Sequence, residues 1–135
     1  MANLKLAGVT KIYPSGKMAL FNVSFSSSDG EFIVVTGGAS CGKSTLLRII
    51  AGLEESTAGD IYIGDKLVNE LEPKERDVAM VFGSNTLYPS LTVADNMAFG
   101  LKMRNVPAAV VNQRVKVAAE MLGLTDVLYL SLIHI

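Results

Sequence analysis

The chain has 135 residues, half of them hydrophobic and 19% charged, with a net charge of −1. That length supports one domain with a real core, and the near-zero charge excludes a general field drawing the chain to nucleic acid or an acidic membrane. A single cysteine, Cys41, excludes an internal disulfide and suits a reducing compartment.

No apolar run reaches the length of about 18 residues needed to span a bilayer, and the start, Met1-Ala2-Asn3-Leu4-Lys5, lacks the apolar region of a signal peptide. A soluble, cytoplasmic chain is expected. Neither an internal repeat nor a low-complexity segment is evident.

In chain order, Leu4, Leu6 and Val9 with intervening polar residues predict a half-buried, antiparallel first strand. Tyr13-Pro14-Ser15-Gly16 is a turn, and residues 20–25 alternate as a second strand. Ser28-Asp29-Gly30-Glu31 has turn chemistry. It leads into Phe32-Ile33-Val34-Val35-Thr36, a β-branched apolar run of the kind that forms a buried parallel strand.

Residues 37–45 follow, reading Gly37-Gly38-Ala39-Ser40-Cys41-Gly42-Lys43-Ser44-Thr45. Strand, G-x-x-x-x-G-K-[ST] loop and helix start together make a P-loop. Bending at Gly37 and Gly42 turns successive backbone N–H groups inward, and the following helix adds its positive end. Lys43 supplies a mobile charge for the β/γ-phosphates, the Ser44 hydroxyl can ligate Mg²⁺, and Thr45 reaches the α-phosphate side. The helix beginning at Lys43 runs through Ala51 and stops at Gly52.

Residues 56–59 read as a loop and 60–65 as a strand running into a turn. Pro73 to Arg76 reads as a solvated charged connection, and residues 78–82 as another strand of the core sheet. After a loop over 83–91 containing Tyr88-Pro89, Thr92-Val93-Ala94-Asp95 resembles a capping box. It starts a helix that carries Met97 and Leu101 inward. Pro107 suits the first turn of a longer helix ending near Leu122-Gly123, with Val111, Val115, Ala118 and Leu122 on its apolar face. The last residues, mostly apolar, read as a truncated or foreign end.

These stretches resemble the nucleotide-binding subunit of ABC transporters, in particular the MalK/UgpC-type ATPases of bacterial carbohydrate importers. The residues that carry the resemblance are Asp29-Gly30-Glu31-Phe32, the P-loop through Ile50-Ala51-Gly52-Leu53-Glu54, Glu72-Pro73-Lys74-Glu75-Arg76 with residues 78–82, and Leu87-Tyr88-Pro89 through Asn96-Met97-Ala98-Phe99-Gly100-Leu101.

The resemblance implies an α/β fold: a P-loop NTPase core with an antiparallel β subdomain and the start of a helical subdomain, truncated. Residues 1–128 would be the N-terminal part of the nucleotide-binding domain, with the Q-loop region at 82–92, the helical subdomain from 93 to 128, and a non-family tail over 129–135. It also implies ATP and Mg²⁺ as cofactors. Tyr13, which could also be an exposed turn tyrosine, falls at the position that stacks on adenine. Residues 84–100 fall on the surface that docks on transmembrane permease subunits; an apolar loop tip there fits either an interface or the chain's own core. The intact protein would be a cytoplasmic ATPase, peripheral on the inner face of the membrane, paired head to tail with a second ATPase subunit and contacting no nucleic acid.

Three departures stand out. Ser40 replaces a glycine of the family's P-loop, a strain of about 1 kcal/mol if that position needs φ > 0. Gly83 stands where the Q-loop glutamine is expected. The signature, the Walker B carboxylates and the switch histidine are not in this sequence; His134 reads as a tail histidine. Hence no catalytic residue is assigned, and the 135-residue chain by itself is expected to be inactive. Rival readings are a nucleotide-binding module without catalysis and an unrelated P-loop enzyme such as a small-molecule kinase.

Overall fold

A computed structural model of the chain describes residues 3–83 and 86–134. The chain divides into two compact units, 1–81 and 82–135, each taken by itself below.

In the first unit, β1 (Leu4–Ile12) lies between β2 (Met18–Ser26) and β3 (Ala58–Ile63), and β3 pairs with the short β4 (Lys66–Leu67). All pairings are antiparallel. The turn between β1 and β2 closes through Gly16 N–H donating to Tyr13 O at 2.8 Å. On β1 the buried positions step from Leu6 to Val9, one residue more than strict alternation. The register with β2 slips between those residues, so a bulge returns Val9 to the inner face. β3 begins at Ala58, inside the stretch expected as a loop.

Helix α1 (Lys43–Ala51) starts where the sequence predicts. Its inward face, Leu46 and Ile49, closes a core with Leu6, Val9, Leu20, Ile61 and Val68. At its end Gly52, at φ 78°, turns the chain in the left-handed region. The Leu53 N–H returns to Arg48 O at 2.9 Å, satisfying a last-turn carbonyl.

Two expected strands are corrected. Residues 32–36 and 78–82 form no ladder; Phe32 is 90% exposed and Val81 95%. A parallel strand is held by hydrogen bonds to neighbours and by cover on both faces. No described strand runs beside either segment, and apolar, β-branched composition cannot supply that neighbour. Among the described residues the sheet is therefore the antiparallel one alone.

The connection after β4 is also corrected. Glu72 and Glu75 do form an exposed capping box around a 3₁₀ turn, Pro73–Glu75. Arg76, however, is only 6% exposed. Its guanidinium donates to the carbonyls of Ile49 (2.8 Å), Ile50 (3.2 Å), Leu71 (2.9 Å) and Asn69 (3.1 Å). Burial pushes its pKa down, yet a guanidinium stays charged. A cation thus sits on the negative end of α1.

The second unit is built on α2 (Val93–Met103) and α3 (Ala108–Leu122). Thr92 caps α2 by accepting from Asp95 N–H at 3.0 Å. The shorter carboxylate of Asp95 meets the Thr92 hydroxyl at 2.8 Å. Two further first-turn donors, Val93 N–H and Ala94 N–H, reach the carbonyls of Leu130 (3.0 Å) and Leu128 (2.8 Å). The segment around 128–131 therefore finishes the cap.

Pro107 is the N-cap of α3, one position before the expected site. Val111, Val115 and Ala119 pack with Val93, Ala98 and Leu128, while Met97 and Leu101 border this cluster as expected. Ala118 is half-buried and Leu122 is 67% exposed, against expectation. With 15 residues against 11 in α2, α3 is longer by about one turn. Its last turn has less of its partner to pack on.

Candidate nucleotide-phosphate site

The P-loop is an irregular crossing into α1 with three residues at positive φ, Gly37 (150°), Ser40 and Gly42. Gly42 is the N-cap of α1 at φ 97°. A Cβ there would lie 2.3 Å from the backbone oxygen of Ala19 on β2, so no other residue fits without moving the strand. Ser40 stands at φ 59°. The position the sequence marked as a departure does require the left-handed region, and serine occupies it at a cost of about 1 kcal/mol.

Lys43 opens the helix and folds its side chain back over the loop. Its Nζ donates to Gly37 O at 2.9 Å and Gly38 O at 2.6 Å, and lies 3.5 Å from the Cys41 sulfur. The ammonium is exposed and held by neutral acceptors only in these contacts. An entering phosphate would replace weaker partners with a charged one.

A cleft of about 240 Å³ opens beside this loop, lined by residues 40–45 on one side and by Tyr13, Lys17 and Ala19 on the other. Two lysines and no carboxylate line it, which favours an anion. Ser44 is among the lining residues. A second cleft of about 310 Å³ surrounds Arg76, but Glu54, Glu55, Glu70 and Glu72 share its wall. Phosphate would meet four carboxylates there, so the smaller cleft is the candidate site.

Tyr13 lies at the rim of the smaller cleft. Its hydroxyl is 3.2 Å from Thr45 Oγ1, which ties the tyrosine to the first turn of α1. The ammonium of Lys11 sits 5.1 Å from its ring centroid. Tyr13 and residues 40–45 thus line one cleft. Gly37 and Gly38 enter through their carbonyls, and Ala39 lies in the exposed bend beside them.

Gly83 belongs to the second unit, with nothing within 4 Å of where a Cβ would stand. Of the stretch 84–100, Ser84 and Asn85 lie outside the described residues. In the remainder, the rings of Tyr88 and Phe99 meet at 4.7 Å between centroids, tilted by 39°. Leu87 is 57% exposed beside them in sequence. Asn96 holds the loop: its amide accepts from Tyr88 N–H at 2.8 Å and donates to Tyr88 O at 3.0 Å and Thr92 O at 2.9 Å.

Sequence reading missed the contacts of Arg76, Lys11 and Asn96. Arg76 and Lys11 reach backbone or carboxylate partners far along the chain, which no local pattern announces; the partners of Asn96 lie within eight residues, in the loop and cap just before it.

A loop of P-loop pattern opening a helix, an antiparallel sheet in the same unit and a helical unit later in the chain fit an ATP-binding cassette. Consistent with that class, the model of the ABC transporter family matches residues 20–133, and the chain belongs to that family. It is 52% identical over 128 residues to the sn-glycerol-3-phosphate import ATP-binding protein UgpC of Cupriavidus metallidurans. It is 53% identical to the protein of that name from Chromohalobacter salexigens. Each match covers 95% of this chain and 35% of the relative, so the chain spans about a third of their length. Among solved structures, a dimeric post-hydrolysis state of the ATP-binding cassette MJ0796 bound to ADP and Pi superimposes with a TM-score of 0.82. That match has 29% identity and covers 95% of this chain and 61% of the other. The fold class expected from the sequence, that of an ABC ATPase, is the one found.

Proposed function

We propose that this chain is the phosphate-binding part of an ATPase subunit that energises solute import through a membrane ABC transporter, the solute being a carbohydrate or a related small polar molecule. The observation that carries the reading is the placement of Lys43 and Ser44 at the start of α1, in a cleft with two lysines and no acid. The names of the relatives support import as the process and a phosphorylated glycerol as the kind of solute.

ATP would bind with its phosphates at residues 37–45 and its base at Tyr13. Mg²⁺ suits this donor set: it needs few protein ligands, so the Ser44 hydroxyl with phosphate oxygens and water suffices. Bound there, the ion would neutralise phosphate charge. Among the described residues no group of three acidic, histidine or cysteine side chains offers a separate metal site.

The exposed Leu87 and the Tyr88–Phe99 pair favour docking of a permease subunit on the second unit. No described helix is long and apolar enough to cross a membrane, so association with the inner face of the membrane would run through that partner. The dimeric state of the MJ0796 structure supports pairing with a second ATPase subunit.

The test is titration with a fluorescent ATP analogue. Lys43→Ala removes a charge-assisted contact worth about 1.5–3 kcal/mol, so affinity should fall at least tenfold. Equal affinity in the variant would place the nucleotide elsewhere.

A further inference from the structure

Lys11 is a lysine of which only 9% is exposed, and no step of nucleotide binding described above uses it. Its Nζ is 2.6 Å from Glu54 Oε1 and donates to Glu55 O at 2.7 Å. Both partners lie just beyond the end of α1. The same ammonium stands 5.1 Å from the centroid of the Tyr13 ring, whose hydroxyl is 3.2 Å from Thr45 in the first turn of α1. The tyrosine is thus fixed at its tip by one end of the P-loop helix. A cation anchored beyond the other end lies against its ring.

We propose that Lys11 is a positioning residue for nucleobase binding, covering one face of Tyr13 so that the opposite face receives a purine. The inference rests on the reading of residues 37–45 as the phosphate loop. Three physical points carry it. A cation over an aromatic ring is attracted by the ring's negative face and fixes its orientation. Burial and two anionic or carbonyl partners keep this ammonium from swinging away, so the ring is ordered before ligand arrives and less rotamer entropy is lost on binding. A cation on one face also draws ring electron density toward itself, which improves offset stacking with an electron-rich base on the other.

The experiment compares a ligand with a base to one without. Binding of a ribose-labelled fluorescent ATP and of inorganic tripolyphosphate is measured on the 135-residue chain and its variants. Lys11→Met keeps the stem and removes the charge. It should weaken ATP binding by about three- to tenfold and leave tripolyphosphate unchanged. Lys11→Arg should retain ATP affinity, since a guanidinium also stacks on aromatic rings. In a Tyr13→Leu background, Lys11→Met should cost nothing further.

Equal losses for the two ligands, or additive losses in the double variant, would show a merely structural lysine and overturn the proposal. If Lys43→Ala weakens both ligands and Lys11→Met neither, this proposal alone fails. Should Lys43→Ala weaken neither, the phosphate-loop reading fails and this proposal with it. If Lys11→Met does not fold, Glu54→Gln, which loosens the ammonium's anchor, carries the same comparison.

Discussion

Arg76 Nη1 donates to the carbonyl of Ile49 at 2.8 Å across 27 residues of sequence. Through the other carbonyls it grips, one side chain closes the end of the P-loop helix onto the segment after β4. It also explains Gly52: a Cβ there would come within 2.6 Å of Arg76 Nε.

Arg76→Ala should therefore be among the most destabilising single changes in the first unit. Four buried or half-buried carbonyls lose a donor together, among the described residues only that of Ile49 keeping a backbone one from Gly52, and the loss should reach about 2–4 kcal/mol. Arg76→Lys should recover only part, because a compact ammonium cannot span the four carbonyls that a planar fork reaches. Urea unfolding followed by circular dichroism measures both. An alanine variant within about 0.5 kcal/mol of the parent would remove the clamp from this account.

Ser40 is held at φ 59°. Ser40→Gly relieves about 1 kcal/mol of backbone strain but adds chain entropy to the unfolded state of similar size. The two nearly cancel, so the stability should change by less than about 0.5 kcal/mol. Ser40→Val has no such offset. A β-branched residue is a genuine outlier in this region, and the loop should open with a loss of ATP affinity. Differential scanning calorimetry and ATP titration on the two variants separate these effects. A valine variant that binds as well as the parent would mean that the loop tolerates another conformation.

Asp95 has its pKa lowered from 3.8, first by the hydrogen bond from Lys102 at 2.8 Å, then by that from Thr92. A carboxylate with a depressed folded-state pKa adds stability above its unfolded pKa and loses it as pH falls through the folded value. The second unit should thus weaken below about pH 4 through this group. Asp95→Asn should lower the melting temperature at pH 6, and the gap to the parent should shrink toward pH 2.5. A constant gap would assign the effect to helix capping alone. The group is exposed, so the change is expected to be small.

ATP hydrolysis by the 135-residue chain should not exceed background. In the proposed reading Lys43 and Ser44 would hold phosphates and metal, but no residue is assigned to orient the attacking water, and the resemblance puts the Walker B carboxylates in sequence not present here. Gly83→Gln fits sterically, since nothing lies within 4 Å of the Cβ position, yet it should rescue nothing alone. Joining a family-type C-terminal half should restore turnover in part. Phosphate release under excess Mg·ATP, with Lys43→Ala as control, is the measurement. Lys43-dependent turnover by the chain alone would reveal an unrecognised base.

By itself the sequence determined the elements whose causes are local. The helix from Lys43 to Gly52, the alternating strands β1 and β2, the Thr92 cap and the P-loop each depend on residues a few positions apart. Spacing and side-chain type suffice for those. The resemblance, with a serine where the family has glycine, raised the question of a left-handed residue at Ser40; only the structure placed it there, at φ 59°.

Tertiary structure decided whatever depends on partners far along the chain. Residues 32–36 and 78–82 have strand composition, but a strand exists only where a neighbour completes its hydrogen bonds. Arg76 reads as a solvated charge until Ile49 and Ile50 present their carbonyls to it. Lys11 reads as one more polar residue of a half-buried strand until Glu54 and Tyr13 close around it. Local propensity is written in adjacent residues; burial of a charge is set by which distant carbonyls and carboxylates the fold brings within 3 Å of it.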